Sequence, residues 1–277
     1  MSTVQALLEQ AGDLSTSSSR RDVEILLCHC LHKNRAWLYT WPEVEVEPDG
    51  EERFSKLLSQ RKRGVPIAHL TGVRDFWTFE LAVNRHTLIP RTETETLVEW
   101  SLELALPGDA SVLDLGTGSG AIALAIAKER PQWAVVAVDA SEEALKVAEK
   151  NARTLGLSHV RFVQSNWYSK LSGGMFDLIV GNPPYIDESD AHLDQGDLPH
   201  EPQMALVSAE KGLADLEQIV VNASKYLHPR GWLLLEHGYD QGAAVRALFG
   251  GNGLERIETR LDLAGQERVT GGYRCAQ

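Results

Sequence analysis

A chain of 277 residues with 43% hydrophobic and 24% charged residues has enough apolar material for a packed core and is too apolar for wholesale disorder. Its 39 acidic and 27 basic residues leave a formal net charge of -12, which repels phosphate backbones and disfavours bulk nucleic-acid binding. No apolar run approaches the ~20 residues of a membrane span, and Met1 to Leu14 lacks the basic start and unbroken apolar stretch of a secretory signal, so a cytoplasmic protein is expected.

The three cysteines are an odd count, and Cys28 and Cys30 stand too close together for a disulfide framework; both point to a reducing compartment. Cys28 and His32 share a helix face at i, i+4 spacing. No second Cys/His pair stands at ligand spacing, so they are taken as positions on a core helix and no metal is expected.

Residues 1 to about 65 carry the pattern of short amphipathic helices. In Arg20 to Leu31, Ser19 is positioned to cap, and Val23, Leu26, Leu27 and Cys30 recur at helical spacing. Glu43 to Asp49 is an acidic connector. Glu51 to Lys62 resumes the helical period with Phe54, Leu57 and Leu58 on one face, and Arg61, Lys62 and Arg63 suit a helix end. From His69 to Pro90, Phe76, Trp77, Phe79, Leu81 and Val83 predict a β-hairpin, followed by a helix over Thr92 to Leu106. The expected division is a helical domain at 1-68, a hairpin linker at 69-91 and an α/β domain at 92-277.

The α/β domain alternates strands at Ser111 to Leu115, Ala134 to Val138, Val160 to Gln164 and Phe176 to Val180 with helices at Ala121 to Arg130 and Glu142 to Leu155. That alternation predicts a parallel sheet covered by helices on both faces. A helix over Leu213 to Leu227, a strand over Trp232 to Glu236, a helix over Gln241 to Phe249 and strands near Leu254 to Leu261 and Arg268 to Tyr273 complete it. The serine cluster Ser15 to Ser19 is the nearest approach to low complexity.

The first chemical signal is Asp114-Leu115-Gly116-Thr117-Gly118-Ser119-Gly120, a strand running into a Gly-rich turn that opens a helix. Glycines let the backbone bend sharply and approach a ligand closely, as in nucleotide-binding turns. Gly116, Gly118 and Ala121 also satisfy the dinucleotide fingerprint of hydride-transfer enzymes. Asp114, just before the turn, suits a cationic amino-acid moiety instead. Asp139, ending the next strand, can accept from ribose hydroxyls or cap the helix that follows.

The second signal is Asn182-Pro183-Pro184-Tyr185 after an apolar strand. Two prolines fix φ and lack N-H groups, so the neighbouring carbonyls become rigid acceptors at the sheet's carboxyl edge. With the Asn182 side-chain oxygen and a flat face from Tyr185, they are suited to grip an NH2 on a planar sp2 system. Glu236, His237 and Arg91 are ambiguous; Arg91 suits either a clamp on a ligand or an ion pair with Glu93 or Glu95. The loop Asp187 to Glu210 is long enough to be a lid.

Together with Pro66 to Gly72, Phe76-Trp77 and Leu88-Ile89-Pro90-Arg91, these motifs resemble the PrmC/HemK peptide chain release factor glutamine methyltransferases over nearly the whole chain. The resemblance implies a class I methyltransferase fold, Rossmann-like, with seven mostly parallel strands, and a helical N-terminal domain that grips its substrate. It also implies S-adenosylmethionine as donor and the glutamine of the Gly-Gly-Gln motif of class 1 release factors as acceptor, for a monomer that contacts neither membrane nor nucleic acid. In that reading Gly116, Thr117, Gly118, Ser119 and Gly120 hold the methionine portion, Asp139 the ribose and Trp167 the adenine. Asn182, Pro183, Pro184 and Tyr185 hold the glutamine amide. Asn166 stands where similar enzymes often carry Asp, and its oxygen can still accept from the adenine amino group. A nucleic-acid amino-group methyltransferase and a nicotinamide-dependent oxidoreductase are the rival classes.

Overall fold

The computed structural model describes residues 1–14, 18–171 and 173–275; Ser15, Thr16 and Ser17 of the serine cluster lie outside the described residues. The chain divides into two compact units, Met1–Val73 and Arg74–Gln277.

The small unit packs α1 (Val4–Glu9), α2 (Ser19–Leu31), α3 (Arg35–Thr40), α4 (Pro48–Lys62) and α5 (Ile67–Thr71) around Leu7, Leu8, Leu26, Leu27, Leu38 and Phe54, all fully buried. Ser19, expected as a cap, is instead the first residue of α2. Ser18 is the cap, and its hydroxyl donates to Asp22 at 2.9 Å. The predicted helix at Glu51 starts three residues earlier, because Pro48 sits in the first turn, where a missing N-H breaks no hydrogen bond. Arg61 in its last turn reaches Asp22 at 2.8 Å. Cys30 is buried and Cys28 half-buried on α2. Residues 69–71, expected to open the hairpin, are helical as part of α5.

In the large unit the hairpin is β1 (Val73–Phe76) and β2 (Phe79–Ala82), turning at Trp77. It is packed into this unit. The Trp77 indole donates to Glu129 at 2.9 Å, and the Asn151 side chain bonds both backbone groups of Ala82 at 2.8 and 3.0 Å. A 3-10 turn at Thr92–Thr94 leads into α6 (Glu95–Glu103). That helix ends three residues short of Leu106, where the approach to Pro107 favours extended backbone.

The sheet strands are β3 (Ser111–Leu115), β4 (Ala134–Asp139), β5 (Arg161–Gln164), β6 (Phe176–Gly181), β7 (Leu227–Glu236), β8 (Glu255–Leu261) and β9 (Glu267–Tyr273). Their order is β5-β4-β3-β6-β7-β9-β8, parallel through β7, with β9 antiparallel to both its neighbours. This is the seven-stranded, mostly parallel sheet that the alternation and the motifs led us to expect. Its two faces carry separate apolar layers, one built on Leu97, Trp100, Leu124 and Leu178, the other on Leu113, Ile179, Leu216 and Phe249. Helices α7 (Ala121–Glu129), α8 (Glu142–Thr154), α9 (Ala209–Gly212), α10 (Ala214–Ala223) and α11 (Gly242–Gly251) make the connections.

At the amino ends of the central strands, the Asp177 carboxylate accepts from Ser111 N at 2.8 Å and from Ser111 Oγ at 2.9 Å, which ties β3 to β6. The helix expected through Leu227 stops at Ala223, and Leu227 opens β7, paired with Phe176. Apolar residues on both sides of that junction satisfy either period, so the pattern could not mark it.

Candidate functional site

Strand order reverses between β3 and β6, and in open α/β sheets the carboxyl edge at such a switch point is a crevice. Here it is a cavity of about 250 Å³. It is lined by Gly116, Thr117, Gly118 and Ser119 from the β3 turn, Asp139 from β4, Asn166 and Trp167 after β5, and Asn182 and Pro184 after β6. Of the residues singled out in the sequence, Asp114, Gly120, Pro183 and Tyr185 do not line it.

The turn is fixed from below. Gly116 N and Thr117 N both donate to Val138 O at 2.9 Å, and Gly120 N closes onto Thr117 O at 2.8 Å. Gly116 has φ +74°, and a Cβ there would come within 3.3 Å of the Trp167 ring, so only glycine lets that ring lie against the turn. The Trp167 indole is held by Asp215 at 3.2 Å.

Asp139 does not cap α8; Ser141 does, accepting from Ala144 N at 3.2 Å. The Asp139 carboxylate accepts instead from Gly118 N and Ser141 N, each at 2.8 Å, tying the Gly-rich turn to the segment that enters α8. Burial raises its pKa against those bonds.

Asp114 is fully buried beneath the turn. Its Oδ2 accepts from the Thr117 hydroxyl at 2.6 Å, and its Oδ1 has no hydrogen-bond partner among the described residues. Burial pushes the carboxyl up to about 7, against the Thr117 bond and with the nearby Asp139 adding to the rise. With Asp139 at the cavity and Asp114 buried beneath the turn, a positive charge bound there would favour the ionised form of both carboxyls.

On the opposite wall Asn182 is half-buried, and its Nδ2 donates to Thr94 Oγ1 at 3.3 Å. The Tyr185 ring joins the apolar layer of one sheet face. Its hydroxyl donates to Glu236 Oε1 at 3.3 Å, and its carbonyl accepts from Gln241 at 3.0 Å. Burial raises the Tyr185 pKa, reinforced by Glu236.

Two segments complete the walls. Thr87, Leu88, Pro90, Arg91 and Thr94 come from the stretch before α6, and Pro202, Met204 and Ala205 from the long loop. Arg91 pairs with Glu201, neither with Glu93 nor with Glu95, and Glu201 also accepts from Ile89 N at 2.9 Å. Leu88 to Arg91 belongs to a motif already noted, and Pro202 to Ala205 belong to the loop singled out for its length; Asp215 carries no sequence signal of its own. Among the described residues no cluster of potential metal ligands occurs, and no helix is long and apolar enough to cross a membrane.

Residues 2–72 match the family model described as PrmC N-terminal domain, and residues 94–197 match the methyltransferase small domain. The chain is 49% identical over 276 residues to a release factor glutamine methyltransferase from Pseudomonas aeruginosa, covering 99% of this chain and 100% of that one. The corresponding protein of Escherichia coli is 46% identical over 267 residues, 96% of each. Among solved structures, a methyltransferase from Pyrococcus furiosus shares the fold with a TM-score of 0.56 at 15% identity, covering 80% of this chain and 100% of that one. With nearly half of its residues shared along almost its full length, the chain belongs to the release factor glutamine methyltransferase family.

Proposed function

We propose that this protein transfers a methyl group from S-adenosylmethionine to the side-chain amide nitrogen of the glutamine in the Gly-Gly-Gln motif of class 1 peptide chain release factors, and so modulates translation termination. The observation that carries the reading is Asn182 and Pro184 on one wall of a cavity whose other wall is a Gly-rich turn, with half-buried Asp139 beside that turn and Asp114 buried beneath it.

The cavity suits the donor. Asp139 lines it and can complement the donor's positive charge, Asp114 adds to that field from beneath the turn, and the Trp167 ring offers an aromatic face for the adenine. Gly116 to Gly120 would hold the methionine portion, Asp139 the ribose and Asn166 the adenine amino group. When bound, S-adenosylmethionine supplies an electrophilic methyl group.

A carboxamide nitrogen is a weak nucleophile because its lone pair is delocalised, so holding it matters more than deprotonating it. The Asn182 side-chain oxygen and the Pro183 carbonyl would each accept one N-H and aim the lone pair, where orientation alone supplies up to ~7–11 kcal/mol. Tyr185, its hydroxyl committed to Glu236, would stiffen the segment rather than touch the amide. The proton leaves during or after transfer, to water.

The small helical unit exposes Tyr39, Trp41 and Val44, an apolar surface suited to gripping a protein partner. Free Cys28, Cys30 and Cys275 fit a monomer working in the reducing cytoplasm.

The test supplies labelled S-adenosylmethionine with a release factor, its Gln→Ala variant, DNA and RNA. Label on the factor alone is expected. Label on the Gln→Ala factor or on nucleic acid would overturn the reading.

A further inference from the structure

The segment Asn182 to Tyr185 runs between two fixed points. It leaves the top of β6, where Gly181 pairs with Leu115 on β3 and Leu235 on β7 and where a Cβ would lie 2.9 Å from Leu115 O. It ends at the peptide joining Tyr185 to Ile186. The N-H of that peptide donates to Leu206 O at 2.9 Å and its carbonyl accepts from Gln241 Nε2 at 3.0 Å, so both edges are held. Gln241 stands just before α11 and makes two further bonds: Oε1 accepts from Gly238 N at 2.8 Å, and Nε2 donates to Lys211 O at 3.2 Å. A backbone N-H only donates and a carbonyl only accepts, so these three partners fix which end of the Gln241 amide is which.

The turn that Gln241 holds is strained. Glu210, Lys211 and Gly212 have φ of +55°, +58° and +79° in succession, and L residues stay in the left-handed region only where their surroundings enforce it. Gly212 lies so close to Tyr185 that a Cβ there would overlap the Tyr185 carbonyl oxygen. The strained turn and the end of the motif are pressed together, with one side-chain amide tying a carbonyl from each. Between the two fixed points, Pro183 and Pro184 lock their own φ and confine the residues before them to extended backbone. A segment so stiff passes a shift at Tyr185 on to Pro183 and Asn182 instead of absorbing it.

We propose that Gln241 is a positioning residue, whose amide fixes the Tyr185 carbonyl against the turn at 210–212 and so sets where Asn182 and Pro183 present their oxygens to the substrate amide. This rests on Asn182 and Pro183 being the acceptors for that amide. Gln241 does not line the cavity and acts only through the backbone it ties. Without its NH2 group the turn relaxes toward ordinary backbone, the Tyr185 carbonyl moves with it, and the two acceptors tilt away from the nitrogen. The donor rests mainly on the opposite wall, on the Gly-rich turn, Asp139 and Trp167. The loss therefore falls on methyl transfer and spares donor binding.

The experiment compares the full chain with Gln241→Glu, Gln241→Asn and Leu157→Ala, measuring kcat and KM for a release factor, donor affinity by calorimetry, melting temperature, and the Asn182 side-chain NH2 signals by 15N NMR. Gln241→Glu keeps the length of the side chain and an acceptor for Gly238 N, but turns a carboxylate on two carbonyls. It should lower kcat about 100-fold, the scale of a small misplacement of a reacting group, with little change in KM or donor affinity. Gln241→Asn keeps the amide but is too short to span all three partners, and should fall between that variant and the parent. Both should move the Asn182 signals. Leu157→Ala, which opens a gap in the apolar layer opposite to that of the Tyr185 ring, should lower the melting temperature and leave kcat and the Asn182 signals as they are. Parental kcat or unmoved Asn182 signals in Gln241→Glu would overturn the proposal, as would an equal loss of kcat in Leu157→Ala, which would reduce Gln241 to a source of stability. If the parent leaves release factors unmethylated, the functional reading fails instead, and the NMR arm still judges whether Gln241 holds Asn182 in place.

Discussion

Glu201 reaches from the long loop to the stretch before α6, and replacing it separates two contributions that a static picture merges. Its side chain is inaccessible to solvent; Oε2 accepts from the buried Ile89 N-H at 2.9 Å, and Oε1 pairs with Arg91. The Arg91 side chain is 31% exposed, so solvent screens the pair to about 1 kcal/mol or less. Burial raises the Glu201 pKa in spite of Arg91 and Ile89, so desolvation outweighs their attraction. An orphaned Ile89 N-H, by contrast, costs about 1–3 kcal/mol. Glu201→Ala should therefore loosen the local structure by about 2 kcal/mol, whereas Glu201→Gln, which keeps a carbonyl acceptor, should lose about 1 kcal/mol or less. Hydrogen exchange reads this directly: the Ile89 amide and residues 198–207 should lose roughly 30-fold protection in the Ala variant and far less in the Gln variant. Pro202, Met204 and Ala205 line the cavity, so donor affinity should fall in the same order. If Gln is as damaging as Ala, the charge pair dominates and the reasoning is wrong.

Asp114→Asn should change the pH dependence of stability. The folded carboxyl titrates near 7 instead of 3.8, so the folded state holds a proton that the unfolded state has released, and stability is lost as pH rises from 3.8 to about 7. Removing the charge should raise the stability of the ligand-free protein above neutrality by at most about 4 kcal/mol and leave it unaltered in acid. Thermal melts at several pH values that run parallel for the two proteins would contradict this. Gly212→Ala should destabilise by about 2 kcal/mol or more, because the residue has φ +79° and a Cβ there would overlap the Tyr185 carbonyl oxygen and lie 2.7 Å from Gln241 Nε2. Urea denaturation checks it, and an unchanged midpoint would mean that the loop yields freely.

The sheet and the Gly-rich turn were legible because each rests on local pattern: apolar runs of strand length, then glycines at positions that need positive φ. Of Asn182 to Tyr185, the pattern marked the segment, and Asn182 and Pro184 line the cavity, whereas Pro183 does not and the Tyr185 ring joins an apolar layer of the sheet. Less visible were features set by distant partners. Arg91 had two acidic neighbours in sequence, yet Glu201 takes it, because the long loop folds back over Ile89. Asp139 stood where a helix cap belongs, and only the approach of Gly118 N gives its carboxylate a different partner. Thr94 offered no pattern at all; its position beside Asn182 is a product of packing. The misread ends at Ser19 and Leu106 lie where the choice of terminal residue depends on one hydrogen bond or one neighbouring proline, and the end at Leu227 lies where apolar residues on both sides fit either period.

The clasp between Ser111 and Asp177 sits at the foot of the sheet, a strand's length of about 17 Å from the cavity. It forbids β3 from sliding against β6, and the Gly-rich turn and the Asn182 segment grow from the tops of those two strands. Whatever distance separates the two walls is thus inherited from the ladder beneath them. Damage to turnover should accordingly be found at positions that no reactant ever approaches, and a survey of variants confined to the rim would overlook the footing on which both walls stand.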